Sequence, residues 1–336
     1  MRSLLLSILF LTSMPSFAQE EISVQNVNEQ QSFSSKIPAG EYSGITHIAA
    51  DTFAVVSDKT EGHGFFLMKI QTDETTGKIL DVQNLGYKAS DKGNYDIEGI
   101  AYNPHNQKVY VSQEADNTIT ELTLEGELTG RKVALPDSIT RNIRSNMSLE
   151  SLCYDADSHL LWTATEGPLK QDGDASTATN GKESIVRLFA FDDSLQQKAW
   201  YRYKTDKPSK TKSARMFALG VSDMAAVGEG RLLVLEREAR VADNYIGSTA
   251  YAKVYLVDTR NADVGDVLNK SLLFSFQTKL TLFRQDWANF EGLCLMPMDS
   301  EGNKTLIMMA DSQGQYRGVL RDWLKTARLK VDGHGK

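Results

Sequence analysis

The chain has 336 residues, of which 41% are hydrophobic and 24% are charged. This composition is typical of a folded globular protein and excludes a disordered chain. With 37 Lys and Arg residues against 44 Asp and Glu residues, the formal net charge is −7. We therefore expect the surface as a whole to repel nucleic acid and anionic lipid, and we expect no nucleic-acid partner.

The first 18 residues have the pattern of a secretory signal peptide. Arg2 supplies a positive charge, residues 4–11 form a short apolar run, and Ser16 and Ala18 place small residues at the cleavage positions. The apolar run is shorter than the roughly 20 residues that span a bilayer, and no second long run follows it. The sequence predicts a periplasmic or secreted protein without membrane insertion, in which residues 19–336 form a single domain.

A strand, a turn and a second strand recur at least five times along the chain. The turns contain Asn, Asp, Pro and Gly, which are typical of hairpin connections, and most copies continue into a third strand. The five copies cover residues 44–58, 97–114, 149–166, 222–236 and 290–311. Repeated antiparallel units of this size predict an all-β fold, a β-propeller with five or six blades. The long interval between the third and fourth copies leaves room for a degenerate blade.

Two further features of the chain bear on this fold. Cys153 and Cys294 occupy the same position in two copies of the repeat. Equivalent positions of separate blades are too far apart to bridge, so we expect small buried residues and no disulfide. Near the end, residues 320–329 have a periodicity that suits either a short helix or a strand that closes the ring.

Acidic residues recur at the two ends of the repeat. In a hairpin, the start of the first strand and the end of the second lie at the same edge, so these acids should gather at one mouth of the central channel. Oxygen ligands without clustered His suit Ca²⁺ or Mg²⁺ and do not suit zinc. In the alternative interpretation, the acids accept backbone N–H groups and tie the blades together. The predicted metal ligands are Asp58, Glu98, Glu114, Glu150, Glu166, Asp223, Glu236, Glu291 and Asp311.

Basic residues near these acids could bind an anionic substrate. Arg187 and Arg237 are the candidates, because a guanidinium binds phosphate through two parallel hydrogen bonds. Each could instead neutralise a carboxylate. The polar insertion at residues 167–181 follows Glu166 and should lie at the same mouth, as a lid or as a solvated loop.

Three segments of the repeat are distinctive: Asp96-Ile-Glu-Gly-Ile-Ala-Tyr102, Gly220-Val-Ser-Asp-Met224 and Asn289-Phe-Glu-Gly-Leu293. They resemble the phytase-like propeller family that is described as having esterase-like activity. The resemblance extends over most of the chain and implies a β-propeller, a hydrolase of phosphoric esters and a requirement for calcium. Copies one, three and four depart from the pattern at Thr46, Ser151 and Met224.

Together these observations give a leading hypothesis and two alternatives. The leading hypothesis is an exported, metal-dependent hydrolase whose partner is a small-molecule phosphate ester. One alternative is a non-catalytic periplasmic propeller that binds a ligand or a protein at its mouth. The other is a calcium-dependent hydrolase of carboxyl esters, such as a lactonase, on the same scaffold.

Overall fold

The computed structural model describes residues 22–331, and the predicted signal peptide at residues 1–18 lies outside them. Within the described residues the chain forms five antiparallel sheets, each a blade of a β-propeller. Blade 1 comprises β3 (Tyr42–Ala49), β4 (Thr52–Ser57), β5 (Gly64–Thr72) and β6 (Ile79–Ala89). Blade 2 comprises β7 (Ile97–Asn103), β8 (Lys108–Gln113), β9 (Thr118–Leu122) and β10 (Leu128–Ala134). Blade 3 comprises β11 (Leu149–Asp155), β12 (Leu160–Thr165), β13 (Ile185–Phe191) and β14 (Gln197–Lys204).

The last two blades complete the ring. Blade 4 comprises β15 (Met216–Gly228), β16 (Arg231–Val241), β17 (Ser248–Asp258) and β18 (Lys270–Leu280). Blade 5 comprises β19 (Asn289–Leu295), β20 (Asn303–Asp311), β21 (Trp323–Val331) and β1 (Ile22–Val27), and the short β2 (Gln31–Ser32) pairs with the start of β21. The inner strands β3, β7, β11, β15 and β19 each contact the inner strands of both neighbouring blades. The propeller therefore has five blades, and the long interval in the sequence holds loops instead of a sixth.

The ring closes through strands from the two ends of the described chain. β1 pairs with β21 in antiparallel register, with Ile22 opposite Val331, and so supplies the outermost strand of blade 5. The closing-strand prediction for residues 320–329 is confirmed and the helix alternative is wrong. The reason for the ambiguity is that Leu324, Ala327 and Leu329 belong to a strand whose two faces are both buried, which removes the alternation of an ordinary strand.

The inner strands are held to their neighbours at one repeated position. Both cysteines are unpaired and buried, as the sequence predicts. The thiol of Cys294 lies within hydrogen-bond reach of the His47 backbone in the next blade, and the thiol of Cys153 reaches the Ala226 backbone in the same way. In blade 1 the equivalent residue is Thr46, whose hydroxyl accepts the Tyr102 N–H at 3.2 Å. The two cysteines therefore pack at the contacts between neighbouring inner strands.

Blade 3 has Ser151 where blade 2 has Gly99, and the structure gives a local reason for this difference. In blade 2 the pair opposite each other is Gly99 and Ser112, and the Gly99 N–H donates to the Ser112 hydroxyl at 2.9 Å. In blade 3 the corresponding pair is Ser151 and Ala164, and the Ala164 N–H donates to the Ser151 hydroxyl at 3.1 Å. The hydroxyl has moved to the other strand of the pair, and the buried hydrogen bond between the strands is kept.

Blade 4 is taller than the others at the end where the inner strands begin. We call this end of the channel the mouth. In β7 one residue precedes the irregularity in its pairing, whereas in β15 the strand starts six residues before the equivalent point, at Met216. The described residues also include a short α-helix, α1 (Asp137–Thr140), and two 3₁₀ turns (Lys170–Asp172 and Tyr316–Gly318). No helix within residues 22–331 is long and apolar enough to cross a membrane.

Candidate functional site

A β-bulge stands near the mouth in every inner strand. The pairing of each inner strand with its neighbour skips one residue there, which changes the direction of the side chain at that point. These five bulge positions, in blade order, are Ser43, Glu98, Glu150, Ser222 and Glu291. The residue before each of them is apolar and buried, so the bulge is a constant feature of the repeat.

In the second strand of each blade, one residue lies opposite the residue that precedes the bulge. The residue that follows it along the chain stands at the mouth. These five positions, which we call the rim, are occupied by Asp58, Glu114, Glu166, Arg237 and Asp311. Four of the five rim residues are acidic and the fifth is an arginine.

This register corrects the alignment of two copies. In blade 4 the bulge residue is Ser222 and the rim residue is Arg237, whereas the sequence repeat assigned Asp223 and Glu236. In blade 1 the bulge residue is Ser43 and not Thr46. Because side chains alternate between the two faces of a strand, a shift of one residue moves a side chain to the opposite face.

Glu236 accordingly faces away from the rim. Its carboxylate accepts the Tyr203 hydroxyl at 2.6 Å and the Asp206 N–H at 3.0 Å, and it forms an ion pair with Lys270. Lys270 also pairs with the Asp206 carboxylate. The predicted ligand Glu236 is therefore part of a closed ion-pair network outside the channel.

Asp223 acts as a tie between blades. Its carboxylate accepts backbone N–H groups from Leu293 at 2.6 Å, Met224 at 2.8 Å and Leu152 at 3.4 Å. These donors lie on β19, β15 and β11, so a single buried side chain joins the inner strands of blades 5, 4 and 3. Burial raises the pKa of Asp223 well above its usual value, while the three amide donors favour the charged form. The alternative interpretation of the acids as ties holds for this residue.

Arg187 does not reach the rim either. Its guanidinium makes two hydrogen bonds to the Asp172 carboxylate, at 2.6 and 2.8 Å, and lies over the Trp200 ring with 4.6 Å to the centroid. Asp172 belongs to the insertion that follows Glu166. The predicted phosphate ligand Arg187 thus anchors the base of this insertion to the third strand of blade 3.

Seven of the predicted acids remain at the bulge and rim positions, and two of them contact Arg237 directly. The guanidinium is buried, and its Nη2 atom lies 2.9 Å from Glu291 Oε1 and 3.2 Å from Glu166 Oε1. Asn289 donates a further hydrogen bond to Glu291 at 2.7 Å. The Nε atom of Arg237 has no hydrogen-bond partner within the described residues. Arg237 is thus the counter-ion of two acids and keeps one donor unused.

The pKa values of these acids are shifted in one direction. Burial, followed by repulsion from neighbouring acids, raises the pKa of Glu98 and of Glu150 well above the usual value. Burial also raises the pKa of Glu291 to about 8 and that of Asp311 to about 6, even though Arg237 favours their charged forms. The pKa values of Asp58, Glu114 and Glu166 are raised as well, again chiefly by burial. Seven carboxylates therefore share a site in which ionisation is disfavoured.

Other side chains at the mouth were not singled out from the sequence. Lys59 forms an ion pair with Asp58 and approaches Asp96 at 3.4 Å. Gln313 donates its backbone N–H to Asp311 at 2.6 Å and its side-chain amide to the same carboxylate. Both residues stand one or two positions after a rim acid, and this adjacency is the signal that could have identified them.

The donor set matches an oxygen-binding divalent cation in its chemistry. The acids provide only carboxylate oxygens, and Asp58 Oδ1 is buried without a hydrogen-bond partner among the described residues. A cation would offset the repulsion that raises the pKa values of these acids. Within residues 22–331, however, no three His, Cys, Asp or Glu side chains already stand as a metal-binding group. The cluster is an acidic cup and not a preformed metal centre.

Several solved structures resemble the chain at low sequence identity. A luciferin-regenerating enzyme shares 12% identity, with 94% of this chain and 98% of that one covered and a TM-score of 0.39. A streptogramin B lyase shares 11% identity, with 90% and 98% covered and a TM-score of 0.37. Hydrazine synthase from Kuenenia stuttgartiensis shares 10% identity, with 82% of this chain but only 57% of that one covered and a TM-score of 0.38.

The family assignment comes from sequence. No curated protein matches the chain. The model of the phytase-like family, described as "Esterase-like activity of phytase", matches residues 37–313 and so covers all five inner hairpins. The chain therefore belongs to the phytase-like family.

Proposed function

We propose that this chain is an exported hydrolase of phosphoric esters that requires a divalent cation, with calcium the expected metal. The observation that carries the proposal is the acidic cup, in which seven buried or half-buried carboxylates occupy the bulge and rim positions and a single arginine pairs with two of them. Family membership supports a hydrolase. Without bound cations the cup would repel a phosphate, so binding of metal and of substrate should be coupled.

The acids of the cup divide into those that form an ion pair with Arg237 and those that do not. Glu166 and Glu291 share the Arg237 guanidinium, whereas Glu98 and Glu150 have no ion pair among the described residues. The proposed cation ligands are therefore Glu98 and Glu150, together with Asp58 and Glu114 on the adjoining part of the rim. Bound cations would neutralise the ester phosphate and lower the pKa of an attacking water.

Arg237 would orient the substrate next to that group. Its Nε–H has no hydrogen-bond partner among the described residues. The rest of the guanidinium is held in place by the ion pairs with Glu166 and Glu291. The Nε atom is buried, so a phosphate oxygen would accept this hydrogen bond only after displacing the groups that cover it, and both ion pairs, which use Nη2, could remain. Asn289 keeps Glu291 in position. In this arrangement the chain supplies the positioning, and the cation supplies the charge.

A second candidate function rests on a different observation. Asp223 and the Arg237 pairs join neighbouring blades, so some of the acids at the channel are structural. If the same were true of the others, the protein would be a non-catalytic propeller that binds a ligand or a protein. A hydrolase of carboxyl esters is a variant of the leading proposal that differs only in the substrate.

The proposals are separated by turnover of a chromogenic phosphate ester and a chromogenic carboxyl ester, measured with a chelator and with increasing calcium. We expect calcium-dependent turnover of the phosphate ester, and its loss in Glu98→Gln and Glu150→Gln. Glu301→Gln, an exposed acid in the turn before β20, is the matched control and should retain activity. Failure to turn over either ester under all conditions overturns the hydrolase proposal. Stabilisation by calcium without turnover favours the binding propeller.

A further inference from the structure

Blade 4 carries a row of exposed apolar side chains along its edge at the mouth. The exposed fractions are 64% for Met216, 43% for Ile246, 73% for Leu282 and 99% for Phe283. Met216 lies opposite Val241, and Ser248 opposite Leu280, so all four strands end at about the same height. With strands about 4.8 Å apart, the row crosses the blade over roughly 15 Å. Four large apolar side chains therefore stand together on the tallest part of the mouth.

The two most exposed of these residues form the tip of a well-defined turn. The Thr281 N–H donates to the Arg284 carbonyl at 2.7 Å, and the Arg284 N–H donates to the Thr281 hydroxyl at 2.9 Å. Leu282 and Phe283 are the two residues between them. The turn is fixed by these hydrogen bonds, so it presents both side chains to solvent on a convex point. Such exposure of a Leu–Phe pair is typical of a surface that meets an apolar partner.

Basic residues flank this row. The loop before β15, residues 205–215, exposes Lys207, Lys210, Lys212 and Arg215, none of which forms an ion pair within the described residues. Lys279 and Arg284 flank the Leu–Phe turn on the other side of the blade. We call residues 205–216, 242–247 and 279–284 the crest.

The acids of the crest do not cancel this charge. The Asp206 carboxylate is taken by Lys253 and Lys270, which belong to β17 and β18. Asp243 is the other acid within these three segments. Just outside them, Asp286 pairs with Arg284. The crest is therefore basic, although the chain as a whole has a net charge of −7.

The basic loop is held firmly against blade 4. The buried Glu238 accepts the Ser209 N–H at 2.7 Å and the Ser209 hydroxyl at 2.8 Å. The buried Arg240 pairs with Glu238 at 2.6 Å and donates to the Lys212 carbonyl at 2.8 Å. Two buried charges thus fix the backbone of a loop whose lysine side chains remain exposed. This arrangement keeps the lysines beside the apolar row.

We propose that the crest docks this protein onto the surface of an anionic lipid bilayer. Leu282 and Phe283 would enter the interfacial region, and the basic residues of the crest would contact the lipid headgroups. A convex apolar tip flanked by cations fits a deformable, negatively charged surface. The overall negative charge opposes the approach only weakly, because charges more than about 10 Å away are screened at physiological salt. The docking surface is independent of the acidic cup and of the proposed hydrolase function.

The test is co-sedimentation of the chain with vesicles of phosphatidylcholine alone, and with vesicles that also contain phosphatidylglycerol. We expect binding to the anionic vesicles that weakens as salt is raised. Leu282→Ser combined with Phe283→Ser should lower the partition coefficient at least tenfold, and Lys210→Glu with Lys212→Glu should lower it by a similar factor. Leu80→Ser is the matched control, because Leu80 is 62% exposed on β6 and outside the crest.

Every variant changes an exposed residue, so a folding defect is not expected, and circular dichroism checks this. A second readout is Phe283→Trp, whose fluorescence should shift to shorter wavelength with anionic vesicles. The proposal is overturned if the chain does not bind anionic vesicles, or if the Leu282 and Phe283 double variant binds as well as the unchanged chain. It is also overturned if Leu80→Ser lowers binding to the same extent, since the effect would then not belong to the crest.

Discussion

Glu291→Gln should make the protein less sensitive to alkaline pH. Burial raises the pKa of Glu291 from its ordinary value of 4.5 to about 8. An acid whose pKa is higher in the folded state than in the unfolded state binds its proton more tightly when folded. Its contribution to stability is complete below pH 4.5 and is lost as the pH rises through about 8. Asp311, with a pKa raised to about 6, acts in the same direction at lower pH.

The size of the effect follows from the same shift. Each pKa unit corresponds to about 1.4 kcal/mol, so a shift of this extent corresponds to about 5 kcal/mol in the limit where Glu291 alone carries it. Because neighbouring acids share the titration, we expect a few kcal/mol. Gln retains the oxygen that accepts hydrogen bonds from Arg237 and Asn289, and it removes the ionisation. The substitution should therefore be nearly neutral at pH 5 and stabilising at pH 9.

Thermal unfolding in the presence of a chelator measures this difference. At about 2–4 °C per kcal/mol for a domain of 150–250 residues, and less for this longer chain, the variant should unfold at about 5 °C higher temperature than the unchanged chain at pH 9. The exposed control Glu301→Gln should follow the unchanged chain at every pH. The reasoning is refuted if Glu291→Gln and the unchanged chain lose the same stability between pH 5 and pH 9.

Three further substitutions test the architecture of the channel. Asp223→Ala should lower the free energy of unfolding, measured in urea, by more than about 3 kcal/mol, because it leaves three buried N–H groups without the carboxylate that accepts them. An effect no larger than that of the exposed Asp243→Ala would contradict this. Arg237→Met should lower the free energy of unfolding by about 3–5 kcal/mol at pH 8 but clearly less at pH 5, where Glu166 and Glu291 can protonate. Equal losses at both pH values would argue against the ion pairs. Ser151→Gly should lower the free energy of unfolding by about 1–3 kcal/mol. Adding Ala164→Ser should restore most of this loss, since the two positions then carry Gly and Ser as Gly99 and Ser112 do in blade 2. Additive losses in the double variant would contradict this exchange of the hydroxyl between strands.

The blades and their hairpins could be predicted from the sequence because each hairpin carries its own turn residues and apolar runs. The position of the acids at one end also follows from hairpin geometry, and the structure places Glu98, Glu114 and Glu150 together as that geometry requires. What these acids bind stays a prediction. The number of blades was open because loop length does not distinguish an insertion from a degenerate blade.

The register of blade 4 could not be obtained by matching acids. Asp223 and Glu236 are acidic, as expected at the ends of the hairpin. The bulge and the alternation of side chains along the strand instead place their neighbours, Ser222 and Arg237, at the mouth. A better signal was present in the sequence: each bulge residue follows a large apolar residue, and in blade 4 this residue is Val221. Aligning on the buried residue, and not on the charge, would have placed the arginine at the rim.

The corrected register shows why the cup is uneven. Four acidic rim residues and three bulge glutamates form the ring, and the fifth rim position is Arg237, which pairs with Glu166 and Glu291 on the side of blades 3 to 5. On the side of blades 1 and 2, Asp58 forms an ion pair with Lys59, and Glu114 accepts the Ser148 N–H at 3.2 Å. Glu98 and Glu114 on this side have no ion pair among the described residues, and neither takes part in the ties that Arg237 makes. A cation that enters the cup should bind on that side, where it leaves the ties between blades 3, 4 and 5 intact.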